Sequence, residues 1–486
     1  MIDNTNFLSG RPILLTIFFT FITLINIVFM KSDALLAITL PEYLLVLYFI
    51  LKNEYQKALY WHIVFTVACV NAGTVILEGS LSYAKIKLVG PLTLNYILLG
   101  IMWLLVRHLP VRVERDSLLL KSRNLFELFI IIGGLVGCFG FVVDGNYMIR
   151  YFIEILLYVV IAFLYVDMLI RLYSEKMSKL FAVSTLCMIT ASTAAVLFSF
   201  YVFGVITEYS VDESFINNPI YYISPCLLIA FFQVKDFQLK LISLSGIIFY
   251  GVGSVIISRG STFLTTFVAI TLLIYIVYFK RNKFQGRLTI KIILPAILII
   301  GIPSLIGVII SSGTVSNTKF EQFTSLIRLF DFSTSLPSRL TDVDRSPYIR
   351  IAEVLDVIDN GINNIIALII GKGYGGYYTD SLNLFSGIDL SNGAFPYEMI
   401  KVGRFYKGHS VYPTALLYNG MIGLVLLLRL GLMYLKNIDK TFLVFSGFML
   451  FMYGFYFDPV ALVSNIMALF GAEYMINNKG YEKSIC

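Results

Sequence analysis

Charge is scarce in this chain. Only 14% of its 486 residues are charged and 58% are hydrophobic, whereas soluble domains carry roughly 25% charged residues and 45–50% apolar ones. Mean hydropathy is +0.82. These values exclude a secreted domain, a disordered chain and a cytosolic enzyme. Cysteine is rare too. Cys69, Cys138, Cys187 and Cys226 lie in apolar runs, Cys486 is the last residue, and no CxxC pair exists. A disulfide framework and a cysteine-based metal site are therefore not expected. Alternating ten-residue strands, the mark of an outer-membrane barrel, are also missing.

What the chain has instead is apolar runs near the length needed to cross hydrocarbon, about 20 residues. Fourteen candidate spans are read at 13–30, 34–51, 59–77, 88–106, 125–143, 151–170, 180–206, 219–234, 239–257, 263–279, 288–310, 412–433, 441–456 and 458–476. The first is too long for a signal-peptide core and is kept as a helix. The expected fold is an all-α polytopic membrane protein. It divides into a transmembrane region over 1–310 with about eleven helices, a loop domain over 311–411, and a C-terminal transmembrane region over 412–486 with about three. With a cytoplasmic N-terminus, Lys and Arg concentrate in the inner segments, above all 107–124 and 280–291. The short outer loops hold only Lys31, Lys85, Lys87, Arg150 and Arg259. That bias favours cytoplasmic termini and an extracytoplasmic 311–411 loop. The net charge of +7 is accounted for by membrane orientation, so no nucleic-acid partner is expected.

A loop of that length without a span is expected to be folded and functional. Ser346-Pro347 reads as a helix start, Ile351, Leu355, Ile358 and Ile362 recur at helical spacing, and Asn360-Gly361 reads as a stop. Arg350 has Glu353 as its i,i+3 neighbour, read either as a solvated pair or as part of an anion clamp at a helix start. Gly371-Lys372-Gly373-Tyr374-Gly375-Gly376 lacks the Gly-Lys-Ser/Thr of a nucleotide loop. It reads either as a helix stop with a turn or as backbone that approaches a ligand closely. Of three histidines, only His409, in Gly408-His409-Ser410-Val411-Tyr412, falls outside. Imidazole chemistry on that side must use it. Within the spans, Asp167 and Arg171 are spaced to pair, Glu154 faces outward, and Glu42 and Arg429 have no assigned role.

Arg259 in Ser-Arg-Gly, Arg350, the Gly371-x-Gly373 turn, and His409 followed by Tyr412, Leu416, Gly420 and Gly423 together resemble the O-antigen polymerase and O-antigen ligase family. The resemblance implies a GT-C-type membrane glycosyltransferase in a bacterial inner membrane. Its donor and acceptor would be glycans on undecaprenyl diphosphate. It would use no cofactor or metal, and a chain-length regulator is a possible partner. A polymerase moves the growing chain onto a new lipid-linked repeat; a ligase moves it to lipid A core. Bidentate, permanently charged Arg259 and Arg350 would hold the leaving diphosphate. His409 would be the base, or a diphosphate ligand. Gly371, Gly373, Tyr374, Tyr412 and Glu353 would bind substrate, with Glu353, Asp380 and Glu398 as reserve bases. Asp342-x-Asp344 alone is too little for a metal. A lipid-linked oligosaccharide flippase or another secondary transporter, and a non-catalytic envelope scaffold, are the rival classes.

Overall fold

A computed structural model describes residues 11–30, 32–69, 71–72, 81–202, 216–217, 223–256, 345–386, 390, 395–437, 441–454 and 459–477. The candidate spans 263–279 and 288–310, Arg259, and Asp342-x-Asp344 lie outside the described residues. The described chain is mostly helical, with almost no sheet. In order come α1 (Pro12–Val28), α2 (Leu36–Leu51), α3 (Tyr55–Ala68), α4 (Leu94–Val106), α5 (Leu118–Val143), α6 (Ile149–Arg171), α7 (Glu175–Tyr201), α8 (Cys226–Gln233) and α9 (Phe237–Ile256). Then come α10 (Arg345–Ile362), α11 (Ile365–Ile370), α12 (Tyr397–Val402), α13 (Val411–Asn437), α14 (Phe442–Gly454) and α15 (Pro459–Asn477). Two small antiparallel pairs complete it: β1 (Asn71–Ala72) with β4 (Ile216–Asn217), and β2 (Lys87–Val89) with β3 (Leu92–Thr93).

Five of these helical segments are long and apolar enough to cross a membrane: Asp33–Leu51, Leu118–Val143, Ile149–Arg171, Glu175–Ser199 and Val411–Asn437. Four shorter helices are equally apolar in character. Three expected spans come out differently. The 59–77 run is helical only to Ala68 among its described residues, and Asn71–Ala72 pair with Ile216–Asn217 as strands. The 88–106 run spends its first residues on the β2–β3 hairpin, where Gly90 takes a positive φ at the turn. The 219–234 run yields only the eight-residue α8 among its described residues, because Pro225 and Val234 bound it.

Helix α7 is the centre of the bundle and is almost wholly buried. It packs against α1, α9 and α15. Apolar surface gives helices no preference for one another over lipid, so small and hydroxylated residues must set the contacts. Ser178 Oγ donates to the Phe470 carbonyl (2.5 Å), Thr190 Oγ1 to that of Ile242 (3.1 Å), and Ser184 shares a hydrogen bond with Tyr60 (2.8 Å). The start of α5 is capped twice. Ser117 Oγ accepts from Leu119 N (3.1 Å), and the Glu473 carboxylate of α15 accepts from the same amide (3.2 Å) and from Ser117 Oγ (2.8 Å). The cap satisfies amides that the first turn leaves unpaired.

The predicted Asp167–Arg171 pair forms at 2.8 Å, and Arg123 (3.1 Å) and Trp103 (2.9 Å) join it. Glu42 is 6% exposed and Arg429 lies exposed on α13. His62 is fully buried inside the bundle between the hydroxyls of Tyr83 (2.6 Å) and Tyr165 (2.9 Å).

Candidate functional site

One end of the bundle gathers the α5–α6 turn, α10, α11, α12 and the start of α13. The connections α4–α5, with Arg107, Arg112 and Arg115, and α6–α7 occupy the opposite end, next to Lys121 in the first turn of α5.

The pivot of the site end is a segment that folds back into the bundle. Asn364 Oδ1 caps α11 by accepting from Ala367 N (3.2 Å). After Ile370 the chain turns sharply at Gly371 (φ 83°, ψ −179°), a conformation essentially reserved for glycine. Here α13 is broken at Gly420 (φ 60°, ψ −159°). Two α13 carbonyls, those of Leu417 and Tyr418, accept instead from Lys372 N (2.6 Å) and Gly373 N (3.1 Å). The turn then enters a glycine groove on α5. Tyr374 N donates to the Gly133 carbonyl (2.9 Å) and its hydroxyl to that of Phe129 (2.8 Å). A methyl on Gly371 would overlap the Tyr418–Asn419 backbone, and one on Gly373 would overlap the backbone of Gly137. Close backbone approach is thus what the glycines serve, but the partner is the protein itself. Gly371, Gly373 and the fully buried Tyr374 build the floor of the site; solvent does not reach Tyr374, which corrects its expected role as a substrate contact.

Helix α10 supplies the central carboxylate. It begins at Arg345 and ends at Ile362, close to the expected bounds. Its inward face differs from the expected one. Ala352, Glu353, Asp356 and Val357 are buried, whereas Ile351, Leu355 and Ile358 are only partly covered and Ile362 is 62% exposed. The acids turn inward because the neighbouring chain meets them with donors. Glu353, at 0% exposure, accepts from His409 N at 3.0 and 2.8 Å and hydrogen-bonds His409 Nδ1. Glu353 therefore partners His409 and not Arg350. Arg350 is exposed and forms no ion pair among the described residues.

The imidazole is held on both sides. Glu353 occupies Nδ1, and Phe395 packs edge-on against the ring at 4.5 Å between centroids. Gly408 N donates to Thr414 Oγ1 (3.3 Å), which itself donates to Ser410 O (2.8 Å), so the turn before α13 is tied to its first helical turn. The His409 side chain keeps 27% of its exposure. A carboxylate on Nδ1 is the arrangement that orients an imidazole as a proton acceptor through its other nitrogen. Tyr378, fully buried, lies beside Glu353; burial first and the neighbouring carboxylate second drive its phenol well above the usual range. Tyr412 is 44% exposed on the first turn of α13.

A second acidic pair lies one turn along α10. Asp356 is buried, and its Oδ1 accepts from Leu382 N (3.1 Å). Asp380 accepts from Leu384 N (2.6 Å) and Phe385 N (2.9 Å). Burial, with the adjoining Asp380 charge, pushes the Asp356 carboxyl up to about 7 against the pull of the Leu382 amide. Asn360 ties the same loop to α10, donating to Thr379 O (2.9 Å) and accepting from Thr379 N (3.2 Å). Asp380 is thus engaged in loop structure, and Glu398 meets Arg150 at 3.8 Å on the surface. Glu154 meets Lys407 at 3.5 Å.

Sequence reading missed a cationic cluster on the other side of the loop. Lys372 Nζ and the Arg404 guanidinium each lie 5.3 Å from the Tyr377 ring centroid. Tyr377 donates to Asp144 Oδ2 (3.0 Å). Burial raises the Asp144 carboxyl, but Asn146, Tyr377 and the Arg404 charge outweigh it and hold the group below its usual range. A Lys next to Gly and an Arg next to Gly carry no signal by spacing alone; only the fold brings them together.

The sequence matches no family model and no curated protein.

Proposed function

We propose that the chain is a membrane glycosyltransferase of the O-antigen polymerase class, with about fourteen spans, a GT-C-like architecture and an extracytoplasmic active site. It would pass a growing glycan from undecaprenyl diphosphate to a lipid-linked repeat unit. The observation that carries this reading is the Glu353–His409 dyad. A transfer to a sugar hydroxyl needs a proton acceptor, and a carboxylate-oriented imidazole is suited to that task near neutral pH.

The reaction can be written from these groups. The acceptor hydroxyl oxygen attacks the anomeric carbon of the donor, and its proton passes to His409 Nε2. The carbon–oxygen bond to the diphosphate breaks, and its electron pair stays on the leaving lipid diphosphate. Glu353 stabilises the imidazolium that forms. Arg350, exposed one turn before Glu353 on α10, and Arg259 would offset the charge developing on the leaving group. The cationic α4–α5 connection, with Arg171, Lys176 and Lys179 on the helices flanking the α6–α7 turn, lies at the other end from His409, which fits the orientation inferred from charge bias.

The flippase reading is weaker. A broken helix is common in transporters, where freed carbonyls bind ions. Here the carbonyls of Leu417 and Tyr418 are taken by Lys372 N and Gly373 N. A strain lacking the gene tests all three readings by the banding of its surface polysaccharide. One attached repeat unit supports the polymerase. No attached glycan, with polymer left on the carrier lipid, means a ligase. No glycan outside the membrane at all means a flippase.

A further inference from the structure

Tyr378 and Phe405 join two loop segments through a single antiparallel bridge, a ribbon of one residue pair. Tyr378 N donates to Phe405 O (3.0 Å) and Phe405 N to Tyr378 O (2.9 Å). Neighbouring residues along an extended chain point to opposite sides, so the ribbon has two faces. On one, Tyr378 and Phe405 stack at 5.2 Å and Phe395 links them to His409. On the other, Tyr377 and Tyr406 meet at 5.8 Å, and Tyr406 stacks on Tyr151 at 5.0 Å. Lys372 and Arg404 belong to this second face through the Tyr377 ring.

These two cations differ from others at the same end. Lys407 has Glu154 and Arg150 has Glu398 as acid partners. Neither Lys372 nor Arg404 has an ion pair among the described residues. The acid beside them, Asp144, is taken up by Asn146 N (2.9 Å), Asn146 Nδ2 (2.7 Å) and Tyr377. Among the described residues Lys372 Nζ makes one hydrogen bond, to Tyr377 O at 2.9 Å, so an ammonium with three donors retains capacity for an anion. Burial lowers its pKa, and the Asp144 charge only partly restores it. Its backbone lies level with Leu417 and Tyr418, in the second turn of α13. At the end of a membrane-crossing helix, that is about the depth of lipid headgroups. Arg404 and Lys372 both remain partly exposed.

We propose that Lys372 and Arg404 form a binding site for a lipid diphosphate, that of the acceptor substrate, on the ribbon face opposite His409 and apart from Arg350. The inference rests on the polymerase reading. A polymerase joins two lipid-linked glycans, so it must hold two lipid diphosphates, whereas one cationic site serves only the departing one. Paired Lys and Arg supply the charge-assisted hydrogen bonds that phosphate oxygens accept. The diphosphate could equally be replaced by the phosphate of an abundant anionic phospholipid, and the test separates the two.

The purified full chain, in phosphatidylcholine nanodiscs, is titrated with undecaprenyl diphosphate. The wild type is expected to bind about twice as much as the Lys372→Gln/Arg404→Gln variant, since two charge-assisted sites become one. The single Arg404→Gln variant, at a partly exposed position, is expected to weaken the second binding step while the protein still folds and leaves the first binding step intact. Equal binding by wild type and both variants overturns the proposal. So does displacement of the second equivalent by phosphatidylglycerol at the same concentration, which would make the site one for bulk anionic lipid. A wild type that binds no diphosphate lipid sinks the transferase reading itself. A wild type that binds one equivalent, lost in Arg350→Ala, leaves that reading standing and removes only the acceptor site.

Discussion

Replacing Glu353 by Gln is the sharpest perturbation the site offers. The substitution keeps the size of the side chain and removes its charge. In the native chain the carboxylate accepts from His409 N with both oxygens and hydrogen-bonds Nδ1, while fully buried. A glutamine has one acceptor oxygen and an NH₂ group in place of the other. It can satisfy the backbone amide, but its own N–H then faces Nδ1 and selects the tautomer with the proton on Nε2. Two consequences follow. The loss of a hydrogen bond to a charged group costs stability, about 1.5–3 kcal/mol. The protonated Nε2 can no longer take a proton from a sugar hydroxyl, which removes a general-base contribution of roughly 10²–10⁴ in rate. The assay is paired: thermal unfolding of the purified chain, and polymer length in a deletion strain complemented with the variant. A folded Glu353→Gln protein that makes polymer at the wild-type rate would refute the assignment of Glu353 as the group that orients His409.

Three other outcomes follow from the same geometry. Because the folded-state pKa of Asp356, about 7, lies above the ordinary carboxyl value of 3.8, its protonated form stabilises the fold below about pH 4, and that contribution is lost as pH rises to about 7. Asp356→Asn should therefore gain more on the wild type at pH 8 than at pH 4, and a thermal-midpoint gap that does not change with pH would contradict this. Gly371→Ala should destabilise the chain by at least roughly 1–3 kcal/mol from backbone strain alone, with further cost from overlap with Tyr418; normal accumulation and melting of the variant would show that the turn relaxes freely. Arg350→Ala should leave stability within about 0.5 kcal/mol, because the side chain is exposed, yet reduce polymer formation by roughly 10²–10³; normal polymer would remove Arg350 from the site.

The helical, apolar character of the chain is plain in the sequence because composition and run length respond directly to the cost of backbone polar groups in lipid. His409 could be singled out by elimination, since only three histidines exist. Its partner could not. Glu353 lies far away along the chain, and its nearest helical neighbour, Arg350, offered a ready but different pairing. The apolar periodicity of α10 selected Ile351, Leu355, Ile358 and Ile362, yet the buried face carries Glu353 and Asp356. Hydrophobic spacing reports where apolar groups are covered; it has no term for carboxylates drawn inward by donors from another segment. The same limit hid Lys372 and Arg404, which meet only across Tyr377. The glycines were legible as tight backbone, but whether a ligand or the protein filled the space beside them depended on the break in α13 at Gly420.

The central claim is that this chain lengthens a lipid-linked glycan with His409 as the proton acceptor. The direct measurement reconstitutes the full chain in liposomes with undecaprenyl-diphosphate-linked repeat units and EDTA, and follows product length by gel. Wild type is expected to build a ladder and His409→Ala to leave single units, with both proteins equally folded. A ladder from His409→Ala, or none from wild type unless Mg²⁺ is supplied, would contradict the account.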